Sequence, residues 1–171
     1  ELIQKRGGEL ATLDPEKRPK TDLEPISRFA AQKMQQTIAA TLERFNVTFE
    51  VWASERALHE KGALANTLSM LTDKGFIYEE QGARWFRTQS AGDEKDRVVI
   101  RDNGQPTYFA ADIAYHQDKF DRGFDHLIDI WGADHHGYVP RMKAAVSALN
   151  QDPEAFETLL VQFVTLRRGG K

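Results

Sequence analysis

Residues 126 to 141 constrain the fold more than any other stretch of the chain. They read His126-Leu127-Ile128-Asp129-Ile130-Trp131-Gly132-Ala133-Asp134-His135-His136-Gly137-Tyr138-Val139-Pro140-Arg141. A short apolar run, Leu127 to Trp131, leads into two glycines that bracket Asp134-His135-His136. Pro140 then opens a helical pattern, because a first turn does not need the N–H that proline lacks. Tyr138, Met142, Ala145, Val146 and Leu149 recur at helical spacing. The stretch therefore predicts a strand, a glycine turn and a helix packed back on the strand. Ligands of open α/β sheets sit beyond the carboxyl ends of strands, so the polar residues of this turn face a candidate site.

The rest of the chain sorts around that unit. Residues 1–23 read as loop or linker with at best one short helical turn, given their glycines, prolines and mixed charges. Residues 24–45 read as a long helix starting near Pro25. Its apolar stripe, Ile26, Phe29, Ala30, Met34, Ile38, Leu42 and Phe45, predicts a core helix with a solvated back. Thr48 to Trp52 alternates as a strand does. Ser54 stands as a helix N-cap, Gly62 interrupts, and residues 63–74 resume as a helix stopped by Gly75. Phe76 to Glu79 and Arg84 to Thr88 predict a hairpin around Gln81-Gly82, and residues 91–96 a charged loop. Val98 to Arg101 is a strand, Asp102-Asn103-Gly104 a turn, and Tyr108-Phe109 a returning strand. A helix over 111–122 puts Asp112 in its first turn. Leu159 to Val164 reads as a buried strand. Alternation of strand and helix from residue 108 predicts a parallel α/β unit, and the part before residue 92 is a mixed α+β segment.

Composition narrows the class. With 40% hydrophobic and 29% charged residues, 171 residues suffice for a buried core. A net charge of −3 gives no global basic signal for nucleic acid, although local basic clusters could still meet RNA phosphates. With no cysteine there is neither a disulfide framework nor a Cys-based metal site. No apolar run approaches the ~18 residues of a membrane span, and no secretory leader opens the chain, so a cytoplasmic location is expected. The chain begins at Glu1 and ends on Arg167-Arg168-Gly169-Gly170-Lys171, which suggests a piece of a longer protein.

Two constellations can carry chemistry. In the first, Gly132 and Gly137 allow a ligand close to the backbone. Asp134 can accept ribose hydroxyls, and His135 and His136 can bind metal, donate to phosphate or orient an amine. In the second, Asp112 beside Tyr108 can grip a planar cation, because a carboxylate meets a guanidinium with two parallel bonds. The alternative is that Asp112 only complements a helix dipole. A metal site drawn from Asp112, His116, Asp129, Asp134, His135 and His136 matches no defensible zinc spacing. The terminal Arg167-Arg168-Gly169-Gly170-Lys171 lacks the elements of a P-loop.

Residues 45–171 carry a further, collinear set of motifs: Val51-Trp52-Ala53-Ser54-Glu55, Gly82 to Thr88, Asp93 to Val98, Thr107 to His116, Trp131 to Arg141 and Gln162 to Leu166. Together these resemble arginyl-tRNA synthetase of the bacterial type, a class I aminoacyl-tRNA synthetase. The resemblance implies α/β architecture: the second half of a Rossmann-type catalytic domain at 93–171, preceded by a helical and α+β connective insertion at 1–92. It implies an enzyme that activates L-arginine with ATP and Mg²⁺ and passes arginyl to tRNA(Arg). The HIGH-type motif is expected before residue 1 and the KMSK-type loop after Lys171, so this piece alone is expected to be inactive. By the same resemblance Tyr108, Asp112 and His135 bind arginine. Gly132, Asp134, His136 and Gly137 belong to the ATP side. A metal-dependent phosphoesterase built on Asp-His-His, and a non-catalytic binding module derived from a synthetase, are the competing readings.

Overall fold

The computed structural model describes residues 20–165 and 167–169, with backbone alone for residues 20–23. The loop expected over 1–23 lies, up to residue 19, outside the described residues; residues 20–23 are helical. The chain divides into two compact units between Trp52 and Ala53.

The first unit is built on helix α1, Lys20–Glu43. It starts before the predicted position, so Pro25 lies inside it rather than in its first turn. The expectation of a core helix fails: Phe29, Met34, Ile38 and Phe45 of the stripe are exposed. An apolar stripe records what a helix can bury and does not supply the surface that buries it. The strand predicted at Thr48 to Trp52 is irregular chain. β-branched and aromatic residues favour a strand only where a neighbour pairs with them; here Phe49 and Trp52 instead meet edge to face, centroids 5.4 Å apart.

The second unit opens with helices α2, Glu55–Glu60, and α3, Ala63–Asp73. Gly62 between them takes φ +71°, a left-handed turn that a side chain would strain. Ser54 occupies the N-cap position in extended conformation, although its side chain makes no capping bond. Leu64, Leu68 and Leu71 of α3 face inward. Strands β1, Ile77–Glu80, and β2, Ala83–Phe86, form the expected hairpin. Its turn has positive φ at both Gln81 and Gly82, the twist that suits a two-residue connection. Strand β3, Arg97–Ile100, adds antiparallel to β2 with a register shift between Arg84 and Trp85.

Helix α4, Tyr108–Asp121, corrects the predicted strand at Tyr108-Phe109. The Thr107 side chain caps it by accepting from the Ala110 N–H, while its hydroxyl donates to the Val98 carbonyl at 2.9 Å. Asp112 therefore lies in the second turn, past the reach of simple dipole compensation. Strand β4, Leu127–Gly132, runs into a 3₁₀ turn, Ala133–Tyr138, and then helix α5, Val139–Ala148. Strand β5, Phe156–Val161, pairs parallel with β4, Leu127 opposite Phe156 and Gly132 opposite Val161. The α/β reading holds from α4 onward, in the order helix, strand, helix, strand. The last strand is not buried as predicted: Phe156 is inward, but Leu159, Leu160, Val161, Phe163 and Val164 are exposed.

One continuous core joins these parts, from Leu68 and Leu71 through Phe86, Val99 and Ile113 to Met142, Val146 and Phe156. A division at residue 92 is thus one of proposed role, insertion against nucleotide fold, and packing runs across it. The inward spacing of Met142, Val146 and Leu149 is as expected, with Tyr138 partly buried against the same core. Met142→Ala is expected to cost about 2–5 kcal/mol in denaturant unfolding, as large-to-small changes in packed cores do. Ile130→Ala, on the exposed face of β4, is expected to cost under about 0.5 kcal/mol. Equal losses at the two positions would mean the faces of β4 and α5 are misassigned.

Candidate functional site

The site begins with the burial pattern of β4. Leu127, Asp129 and Trp131 face the core, and Ile128 and Ile130 face away. A carboxylate turned inward needs partners, and Asp129 has two on α4. Lys119 Nζ donates to Oδ1 at 2.9 Å and His116 Nε2 meets Oδ2 at 3.0 Å. His116 is only 3% exposed, and its Nδ1 lies 2.8 Å from the Asp112 carbonyl. Both ring nitrogens thus face oxygen atoms, a backbone carbonyl on one side and a carboxylate on the other. Burial opposes ionisation of Asp129, but His116 and Lys119 outweigh it and hold the carboxyl below the usual carboxylate range.

Asp112 shows the opposite balance. Tyr108, Asp112 and His116 follow one another at four-residue spacing on α4, and exposure falls along them, from 78% at Tyr108 to half-buried Asp112 and buried His116. The Tyr138 hydroxyl donates to Asp112 Oδ2 at 2.6 Å. Among the described residues no Lys or Arg pairs with this carboxylate. Burial raises its pKa, and the Tyr138 bond and the His116 charge offset that only in part. A half-buried carboxylate short of positive charge is a candidate site for a cation.

The turn after β4 supplies the remaining candidates. Gly132 has ordinary extended backbone, and a Cβ there would meet the Asp134 carboxylate, the exposed end of a side chain with room to turn aside. Asp134 and His135 are exposed side by side, His135 Nε2 3.6 Å from Asp134 Oδ2. His136 is exposed, with Nδ1 3.1 Å from the Ala133 carbonyl. A Cβ at Gly137 would meet nothing within 4 Å, so no crowding accounts for this glycine. The turn ends at Tyr138, whose bond to Asp112 joins the two predicted constellations. No group of three or more potential metal ligands converges among the described residues, which gives the phosphoesterase reading no geometric support.

Several site residues escaped sequence reasoning. Tyr138 read only as an apolar helix-face residue. Asp129 and His116 read only as loose metal candidates, although an Asp inside a five-residue apolar run already signals a buried partner. The charged loop at 91–96 hides Asp93, nearly buried and held bidentately by Arg97 at 2.7 and 2.8 Å. That pairing keeps its carboxyl below the usual range. Arg141 of α5 approaches the same carboxylate at 3.7 Å and stacks its guanidinium 4.7 Å over the Tyr138 ring.

Comparison with known proteins places this geometry. Residues 17–169 match the family model for tRNA synthetases class I (R), catalytic domain. An arginine–tRNA ligase of Desulforudis audaxviator is 48% identical over 99% of this chain, and one of Desulforamulus reducens is 51% identical over 99%. The chain spans about 30% of the length of these curated relatives. A crystal structure named for an arginyl-tRNA synthetase of Campylobacter jejuni superposes with a TM-score of 0.83 at 39% identity, covering 99% of this chain and 37% of that one.

The two inward carboxylates give a test with opposite signs. Asp129, with its depressed pKa, stabilises the fold above the ordinary carboxylate value of 3.8, and this is lost as pH falls through its lower folded value. Asp129→Asn is therefore expected to lose about 1.5–3 kcal/mol at neutral pH, the deficit shrinking below pH 3.8. Asp112, with its raised pKa, costs stability once ionised, a cost that grows as pH rises from 3.8 through its higher folded value. Asp112→Asn is expected to raise stability at neutral pH and to match the parent in acid. Denaturant midpoints across pH check both; the same sign for the two variants would refute the electrostatic assignment.

Proposed function

We propose, from the premise that this chain belongs to the family of class I tRNA synthetase (R) catalytic domains, that it works as the arginine- and ribose-recognising part of an arginine–tRNA ligase. On this reading the longer protein joins L-arginine to ATP. The arginine carboxylate attacks the α-phosphate, pyrophosphate leaves, and arginyl passes from the adenylate to the 3′ end of tRNA(Arg). Mg²⁺ arrives with ATP. The work is chiefly positioning and charge stabilisation.

The observation that carries the reading is Asp112: half-buried, held by a phenol, and without a Lys or Arg partner among the described residues. Arginine brings the planar fork of donors that such a carboxylate can take with two bonds. Tyr108, one helical turn away and open to solvent, offers a ring face or hydroxyl along the same approach. His135 extends toward the α-amino and carboxyl end. Asp134, folded over Gly132 at the end of β4, takes the ribose hydroxyls, and His136 and Gly137 border the ATP. The segment at 1–92 acts as the connective insertion, with 93–171 as the second nucleotide-fold half. A parallel sheet is ordinarily covered on both faces. The exposed Ile128 and Ile130 of β4 fit cover by the other half of the same nucleotide fold. No described helix is long and apolar enough to cross a membrane, as suits an enzyme that meets tRNA in the cytoplasm.

Two measurements test this. In the full-length protein carrying this segment, Asp112→Asn keeps shape but removes charge from a desolvated pair, a loss of about 2–5 kcal/mol. Arginine kcat/KM in pyrophosphate exchange is then expected to fall roughly 30- to several-thousand-fold, with ATP KM near the parent value. A change within about threefold would reduce Asp112 to a structural residue. The 171-residue chain by itself is expected to show no arginine-dependent exchange, since the proposed phosphate-stabilising motifs lie elsewhere; exchange by the isolated chain would overturn that division.

A further inference from the structure

We propose that Tyr138 is the positioning residue that fixes the plane of the Asp112 carboxylate for a guanidinium. This rests on the reading that Asp112 binds arginine. Tyr138 closes the 3₁₀ turn carrying Asp134 and His135, and its hydroxyl donates to Asp112 Oδ2 at 2.6 Å. A bond this short to a carboxylate is of the strong, charge-assisted kind.

The phenol itself has little freedom. Its ring meets Trp131 edge-on at 5.5 Å and 71°, and Phe109 at 6.0 Å and 82°. The Arg141 guanidinium covers it at 4.7 Å, and that guanidinium is in turn drawn toward Asp93. Burial and the Asp112 bond push the phenol's pKa far up, so at any physiological pH the hydroxyl remains a donor. One carboxylate oxygen of Asp112 is thereby tied to a fixed point. Rotation of the carboxylate about its own bond would break that tie. Oδ1 and the open lone pairs are left in a set plane.

A fixed plane matters for one class of cation. An ammonium is a compact charge with rotatable donors and is indifferent to how a carboxylate is turned. A guanidinium is a rigid fork, and its two parallel bonds form only where both planes agree. The tyrosine therefore serves guanidinium recognition in particular, and it does so from the turn that holds the nucleotide-side residues. The other titratable groups around Asp112 are His116 on the same helix, Asp129 on β4 and Glu55 at the start of α2. His116 meets the Asp112 backbone carbonyl and not its carboxylate, whose Oδ2 is held by Tyr138.

The test uses Tyr138→Phe in the full-length protein, which keeps the ring packing and removes only the hydroxyl. Arginine KM in pyrophosphate exchange is expected to rise about tenfold or more, the usual effect of losing a hydrogen bond to a charged group. ATP KM should stay near the parent value. The hydroxyl also lowers the Asp112 pKa against the raising effect of burial, so its loss should move the acid limb of arginine kcat/KM to higher pH. In an Asp112→Asn background Tyr138→Phe should add little, because the two act as one unit. Arginine KM within about threefold and an unmoved acid limb would overturn the proposal while Asp112→Asn still impaired arginine use. An equal rise of both KM values, or full additivity with Asp112→Asn, would also overturn it, assigning Tyr138 to packing. If Asp112→Asn itself left arginine KM unchanged, the reading beneath the proposal would fall first.

Discussion

The inward turn of Asp129 governs the second unit. A strand's side chains alternate, so a slip of one residue would exchange its faces. On hydrophobicity alone the exchange looks attractive, because Ile128 and Ile130 lie on the open face while a carboxylate lies inside. His116 and Lys119 on α4 decide against it, each holding one oxygen of Asp129. A slipped strand would leave a buried imidazole without its partner, and breaking a buried ion pair is strongly unfavourable. The pair thus selects the register, and the register aims everything downstream. Trp131 turns inward against Tyr138, Gly132 arrives where Asp134 can fold over it, and Tyr138 comes within reach of Asp112.

Asp112 on α4 and Asp129 on β4 differ in their partners and not in kind. Asp112 and Asp129 are both aspartates turned from solvent beside His116. One is over-supplied with positive charge and ionises readily; the other is under-supplied and resists ionisation. A protein selected only for stability would give Asp112 a cation or make it neutral. On the proposed reading, a carboxylate held in this state stores binding energy that a cationic ligand releases, as preorganised sites do at some cost to stability.

How much of this was legible in the sequence depends on where the information sits. The β1–β2 hairpin was legible because Gln81-Gly82 dictates its own turn, and α3 because Leu64, Leu68 and Leu71 repeat at one spacing. The β4 turn and α5 followed from glycines, a proline and one apolar face. Tyr108-Phe109 misled because aromatic residues suit strands, while the deciding group, the Thr107 cap, lies one residue outside the pair. Thr48 to Trp52 and the α1 stripe misled for a shared reason. Each pattern states a capacity to pair or to bury, and its use depends on a surface that local sequence does not contain. The Asp112–Tyr138 bond spans 26 residues, and no periodicity links positions so far apart. The resemblance pointed to Asp112 but was silent on what holds it.

The distribution of charge completes the argument about division of labour. Three basic groups of α4 and α5 have partners: Arg141 with Asp93 and the Tyr138 ring, Lys119 with Asp129, Lys143 with Glu154 at 2.8 Å. Lys119 is the most firmly held of the three, by a partly buried carboxylate at 2.9 Å, while the Lys143–Glu154 pair lies at the surface. The turn itself offers carboxylate and imidazole, groups suited to hydroxyls and an amine. On the proposed reading, this segment reads what the substrates are, through a fixed carboxylate for the guanidinium and an acid for the ribose. Stabilising the charge that develops at the α-phosphate is then left to other parts of the longer protein. Separating the two tasks has a physical merit, because a strong cation beside Asp112 would satisfy the very carboxylate that must wait for arginine.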